Sequence, residues 1–237
     1  MFDQDMFRPR AGTAQAALFD EGLRQHMLRV YNYMASGVLL TGVVAMLVAS
    51  TPALYQPIFG TPLKWVVMLA PLAFVLFFSF RIEQMSAASA QMAYWAFAGV
   101  MGLSLASVFL VFTGMSVART FFIAATMFAA MSLWGYTTKK DLTRFGSFLM
   151  MGVIGVLIAS VVNLFLGSSV LQFVVSLVGV AVFTGLTAWD TQNIKAQYAE
   201  NLGHETNGKM AVFGALSLYL NFVNIFQLLL NLTGERE

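Results

Sequence analysis

The chain has 237 residues, 59% of them hydrophobic and 10% charged, with mean hydropathy +0.75. A soluble domain carries about 25% charged residues, so this chain lacks the polar surface needed to stand in water. A net charge of +2 is too small for a nucleic-acid footprint, the lack of cysteine excludes disulfides, thiolate metal sites and Cys nucleophiles, and two histidines cannot build a multi-histidine metal centre.

Residues 1–29 hold Arg8, Arg10, Arg24 and Arg29 with four acids and no apolar run. They read as a cytoplasmic N-terminal segment rather than a signal peptide. Within it, Thr13 to Arg29 forms either a short interfacial helix or a tail. Beyond it, the charge-free intervals define the architecture. None of Asp, Glu, Lys or Arg occurs in 30–63, 65–80, 84–118, 120–138, 145–189 or 210–234. A helix needs about 20 apolar residues to cross the hydrocarbon core. The interval 145–189 is too long for one span, and Leu166-Gly167-Ser168-Ser169 divides it. Seven spans result, near 30–50, 62–80, 91–112, 118–137, 145–166, 170–194 and 209–232, forming one membrane domain over 30–234. Barrel strands are rejected because the apolar residues run on without alternating.

Pro71 lies within the second span and predicts a kink there. Lipid is as apolar as leucine, so close helix packing depends on small residues. Gly99, Gly102 and Ala106, then Gly152, Gly155 and Ala159, then Ala181 and Gly185 offer such stripes, though glycine is also ordinary in membrane helices. Fifteen Met and 22 Phe fill irregular gaps.

Orientation follows from the positive residues. With the N-terminus cytoplasmic, the inner segments hold Arg8, Arg10, Arg24, Arg29, Arg81, Lys139, Lys140, Arg144, Lys195 and Lys209. The outer segments hold Lys64, Arg119 and Arg236. Seven spans then place the C-terminus outside.

Ionisable groups at membrane depth are costly and therefore candidates for function. Arg81 and Glu83 end the second span, and Glu83 either supports the arginine or solvates the loop. Asp190 lies late in the sixth span and is either an interfacial cap or, if the helix continues past Gln192, Asn193 and Lys195, a group lining a cytoplasmic cavity. The seventh span carries Asn221, Asn224 and Gln227 at i, i+3 and i+6, nearly one face. A polar face on a lipid-embedded helix needs partners inside the bundle, so the fold class is an all-α seven-transmembrane-helix bundle with helix seven central. The face itself is either a structural hydrogen-bond seam or a functional lining. Serines such as Ser104, Ser107, Ser160 and Ser176 are expected to bond carbonyls of their own helix.

Four segments carry a family resemblance: Arg81-Ile82-Glu83-Gln84-Met85-Ser86, Gly135-Tyr136-Thr137-Thr138-Lys139-Lys140-Asp141-Leu142, Ala188-Trp189-Asp190-Thr191-Gln192 and Gly214-Ala215-Leu216-Ser217-Leu218-Tyr219-Leu220. Together they make the chain resemble the Bax inhibitor-1 (transmembrane BAX inhibitor motif) family, from about Tyr31 to Gly234, in its bacterial form. The resemblance implies seven helices with the seventh surrounded by the others, and a pH-sensitive calcium leak through the cytoplasmic membrane. It implies a sensor of two aspartates, one each on helices six and seven, with a helix-two arginine as exchangeable partner. Asp190 matches the first aspartate and Arg81 the arginine, but Asn221 stands where the second aspartate is usual.

Two close carboxylates cannot both ionise easily, and Asn221 removes that like charge. Its amide can instead donate to ionised Asp190. The expectations are an Asp190–Asn221 hydrogen bond, a weakened or acid-shifted pH response, and weaker calcium affinity with one hard anionic ligand lost. Asp190 is then the one candidate calcium ligand, for a transient ion. No tightly bound cofactor is expected. Partners are the bilayer and calcium, and no nucleic acid. The competing reading is a non-transporting protein that regulates other membrane proteins or a membrane protease through its N-terminal segment and the loop after Thr138. An enzyme fits poorly, since no His-Glu-x-x-His pair exists and one acid lies deep in the bundle. Retinal fits poorly too, since no lysine follows Lys209 on the seventh span.

Overall fold

The computed structural model describes residues 10–81, 84–198 and 203–236, with the backbone alone for 10–19, 79 and 204. Among the described residues the chain is helical: α1 (Arg10–Ser50), α2 (Pro52–Phe59), α3 (Leu63–Arg81), α4 (Ala87–Val111), α5 (Gly114–Thr137), α6 (Thr143–Leu166), α7 (Ser169–Gln197) and α8 (Gly203–Thr233). Six of these are long and apolar enough to cross a membrane, and the bent pair α2–α3 counts as up to a seventh. The chain is a multi-pass integral membrane protein.

Two features of the elements go beyond the sequence reading. The first span and the segment before it are one continuous helix, so the boundary expected at residues 29 and 30 falls inside α1. Leu23, His26, Met27 and Val30 are buried at i, i+3, i+4 and i+7, so an apolar stripe carries the helix onto the bundle before the charge-free run begins. The second span is broken between α2 and α3, with a bend of 87°, and Pro71 lies within the continuous α3. Pro62 has no N–H to continue a helix and forces Thr61 out of helical geometry. The Thr61 hydroxyl donates to Pro57 O at 2.7 Å and accepts from Leu63 N–H at 3.3 Å, replacing bonds the broken helix loses.

The turn at Gly167 forms as its residues predict. Gly167 adopts φ 59°, the left-handed geometry that glycine takes without steric cost, and closes α6. The Ser168 hydroxyl then caps α7 by accepting from Leu171 N–H. α8 starts at Gly203, several residues before its charge-free interval.

Close approach fixes α7. A Cβ on Gly135 of α5 would stand 2.3 Å from Ala188 O, and one on Gly146 of α6 would meet the Trp189 ring. Of the expected stripes, Gly102 lies against Thr41 O and Val44, Gly152 against Val182 and Gly185 against Leu149, while Gly99 and Gly155 face open space.

α8 packs against α1, α4, α5 and α7. Its most apolar window is 61% buried, against 11% for α6, which lies on the outside of the bundle. The His26 ring lies 5.3 Å from that of Tyr198, Gly208 abuts Ala87, and Gln192 bonds the α5–α6 turn. These contacts gather the start of α1, the α3–α4, α5–α6 and α7–α8 turns at one end. Arg24, Arg29, Arg81, Lys139, Lys140, Arg144, Lys195 and Lys209 therefore share that end, while Lys64, Arg119 and Arg236 lie at the other.

Candidate functional site

α7 presents two polar faces with different fates. Thr191, Gln192 and Lys195 turn towards α5. The Thr191 hydroxyl lies 3.0 Å from Ser132 Oγ, which in turn bonds the Tyr31 hydroxyl. The Gln192 amide donates to Lys140 O at 2.8 Å and accepts from Leu142 N–H at 2.9 Å. Lys195 Nζ donates to Tyr136 O at 3.0 Å and lies 4.8 Å from the centre of its ring. Gln192 and Lys195, expected beside a cavity, are thus a clamp on the α5–α6 turn. The reason is angular: at about 100° per residue, Gln192 and Lys195 lie about 160° and 140° round the helix from Asp190.

The other face meets a cleft of about 1190 Å³ that runs along α8 between α3 and α4 on one side and α6 and α7 on the other. Asp190 and Asn193 line it from α7. From α8 come Ser217, Asn221, Asn224, Gln227 and Asn231, a polar row spaced by three or four residues. At about 1.5 Å per residue this row runs roughly 21 Å, most of the hydrocarbon thickness. Pro71 of α3 and Ser104 and Ser107 of α4 line the opposite wall. Ser107 bonds Ser104 O and Ser160 bonds Val156 O, as expected of helix serines.

The structure brings Asp190 and Asn221 together. Asn221, almost wholly buried, donates from Nδ2 to Asp190 Oδ2 at 2.6 Å, across 31 residues of sequence. A donating amide nitrogen leaves its carbonyl oxygen free to accept or to coordinate. Asn224 donates to Leu220 O at 2.8 Å within its own helix. Gln227 and Asn193 have no hydrogen-bond partner among the described residues. Arg81 is not on the aspartate. It is exposed at the end of α3, where its guanidinium reaches Gln84 Oε1 at 3.4 Å. Ion pairs among the described residues join Arg24 to Glu21 and Arg119 to Glu235, so Asp190 is held here by one helix and not two. Glu83 lies outside the described residues. No three His, Cys, Asp or Glu side chains cluster among the described residues.

Sequence reasoning missed the seam on the opposite side of α8. Tyr219 is fully buried, with its hydroxyl 2.6 Å from Thr41 Oγ1, which also bonds Ala98 O at 2.8 Å. Tyr94 and Phe97 pack edge-on against the Tyr219 ring at 6.1 and 5.6 Å. A single tyrosine among leucines carries no spacing signal that names Thr41, 178 residues away.

Fold and site together define a class: a multi-pass helical membrane protein with a carboxylate–amide pair on a cleft at membrane depth. The family described as "Inhibitor of apoptosis-promoting Bax1" matches residues 23–237, and the chain belongs to this Bax inhibitor-1 family. It is 48% identical over 225 residues to an uncharacterized protein of Rickettsia prowazekii, covering 95% of each chain. It is 47% identical to an uncharacterized protein of Caulobacter vibrioides, covering 91% of this chain and 90% of the other. With the inner membrane protein YbhL of Escherichia coli K12 it shares 41% identity, covering 91% of this chain and 94% of that one.

Proposed function

We propose that this protein is a calcium leak pathway of a bacterial cytoplasmic membrane, gated at Asp190. The observation that carries the reading is one acid, paired to Asn221 at 2.6 Å, on a cleft lined by neutral amides along α8. A permeant divalent ion needs oxygen ligands that bind weakly enough to release it. One carboxylate and a row of amide oxygens meet that need, whereas several carboxylates would trap the ion. Calcium is cargo here, no cofactor is held tightly, and the reading is of a pathway rather than an enzyme. Helix α8, the seventh span, is the surrounded one, and its buried window supports that role.

In this reading Asp190 exchanges partners. With Asn221 it forms the arrangement described above, and with Arg81 it forms the alternative. Protonation removes the charge that attracts either cation, guanidinium or calcium. The eight basic residues that share the end of the bundle holding the α7–α8 turn support a cytoplasmic placement of that end, with the end of α8 outside. The YbhL relative's name supports an inner membrane.

Reconstituted vesicles with a trapped calcium dye test the proposal. Native protein is expected to leak calcium above empty vesicles, and Asp190→Ala to change the rate at least tenfold. No permeability at any pH from 5 to 8 overturns the reading and favours a protein that regulates other membrane proteins. Asn221→Asp restores a second carboxylate and is expected to move the pH midpoint of flux towards neutrality. A native neutral-pH transition that this variant abolishes would contradict the role given to the amide.

A further inference from the structure

Apart from Asp190, one charged side chain among the described residues lines the cleft, and the leak reading does not use it: Arg236. It stands at the far end of the polar row, beside Asn231 of α8 and Phe112 at the end of α4. The tail that carries it is fastened. Thr113 N–H donates to Glu235 O at 3.0 Å, Glu235 N–H donates to Ser116 Oγ at 3.0 Å, and the Glu235 carboxylate pairs with Arg119 at 3.0 Å. Arg236 forms an antiparallel bridge with Phe112, and its guanidinium lies 5.8 Å from the centre of the Phe112 ring. The Glu235 carboxylate is thus directed to Arg119, and among the described residues no acid pairs with the exposed Arg236. Asp190 does not cancel that charge. Asn221 to Asn231 spans ten residues, about 15 Å along α8, beyond a Debye length of about 8 Å.

We propose that Arg236, held across the end of the cleft by the strapped tail, is an electrostatic barrier that selects against cations at that mouth. The inference rests on the leak reading for its consequence, but the barrier itself is measurable without conduction. A guanidinium about 6 Å from a passing ion in water-like surroundings opposes a divalent cation by on the order of tenfold and a monovalent one by about threefold. The Glu235–Arg119 pair and the two backbone bonds set the barrier's position, so they are positioning contacts.

The chain has no cysteine, so Asn231→Cys places a single thiol beside Arg236. In the purified protein this thiol is titrated with cationic and anionic methanethiosulfonate reagents of equal size. The anionic reagent is expected to react at least threefold faster, Arg236→Gln to level the two rates, and Arg236→Glu to reverse their order. Because Arg236 favours the thiolate equally for both reagents, the ratio of rates isolates the field at the mouth. Equal rates with Arg236 in place, or a ratio that Arg236→Glu does not move, overturn the barrier. In calcium-loaded vesicles, Arg236→Gln is expected to raise leak about tenfold and sodium leak about threefold. If vesicles stay tight for every variant while the thiol ratio behaves as expected, the barrier stands and the leak reading falls. Elution of each variant at the native protein's volume on size exclusion is the check that the fold is kept.

Discussion

The two sides of α8 place polar groups at the same membrane depth and treat them oppositely. On the sealed side, Tyr219, Thr41 and Ala98 O satisfy one another within a packed aromatic cluster. On the open side, Asn221 meets one carboxylate, Asn224 falls back on its own helix, and Gln227 faces the cleft without a partner among the described residues. A buried polar group without a partner is costly, so sealed seams contain complete networks. Incomplete pairing along a cleft leaves side chains open to water and, on the proposed reading, to a passing ion. Around α8, hydrogen-bond completeness, rather than polarity, distinguishes the two sides.

The comparison breaks most violently where backbones touch. Gly135→Leu forces the Ala188 backbone away and is expected to cost about 3 kcal/mol or more. Gly155→Leu, facing open space, stays within about 0.5 kcal/mol. Thermal unfolding of the two in detergent gives the difference, and equal melting temperatures would contradict the α5–α7 contact. On the open side, Gln227→Ala is expected to leave the melting temperature unchanged while altering calcium leak several-fold. A large loss of stability would place Gln227 in a structural seam. On the sealed side, Tyr219→Phe removes one interhelical bond but leaves Thr41 bonded to Ala98 O. Its expected cost is about 0.6 kcal/mol with leak unchanged, read by unfolding and by flux.

The smallest effect lies outside the membrane. Thr143 donates to Asp141 Oδ1 from its hydroxyl at 2.6 Å and its N–H at 2.9 Å, holding that carboxyl below the usual carboxylate range. A depressed folded value means the contribution is full at neutral pH and fades as pH falls below about 4. Asp141→Asn should therefore slightly lower stability at pH 7 and leave it unchanged near pH 3, as unfolding at the two pH values would show.

How much of this was legible in the sequence depends on whether the signal was local. Missing charges marked the long helices, and Gly167 marked the turn between α6 and α7, because insertion and backbone sterics act on consecutive residues. Asn221 near Asp190 was legible only through the family pattern, since neither residue's spacing names the other. Gln192 and Lys195 were misplaced because a helix turns about 100° per residue, and small offsets from Asp190 carry a side chain to another face.

By itself the sequence determined that this chain lives in lipid and where the long helices lie, because a 20-residue apolar run has few alternatives in a bilayer. Tertiary structure alone decided that α1 continues through residue 29, that the bend falls before α3, that Tyr219 joins Thr41, and that a strapped arginine stands at the end of the cleft. Each of those depends on which helix faces which. In lipid that choice is made by close packing and hydrogen bonds between distant segments, which a single chain's periodicity does not record.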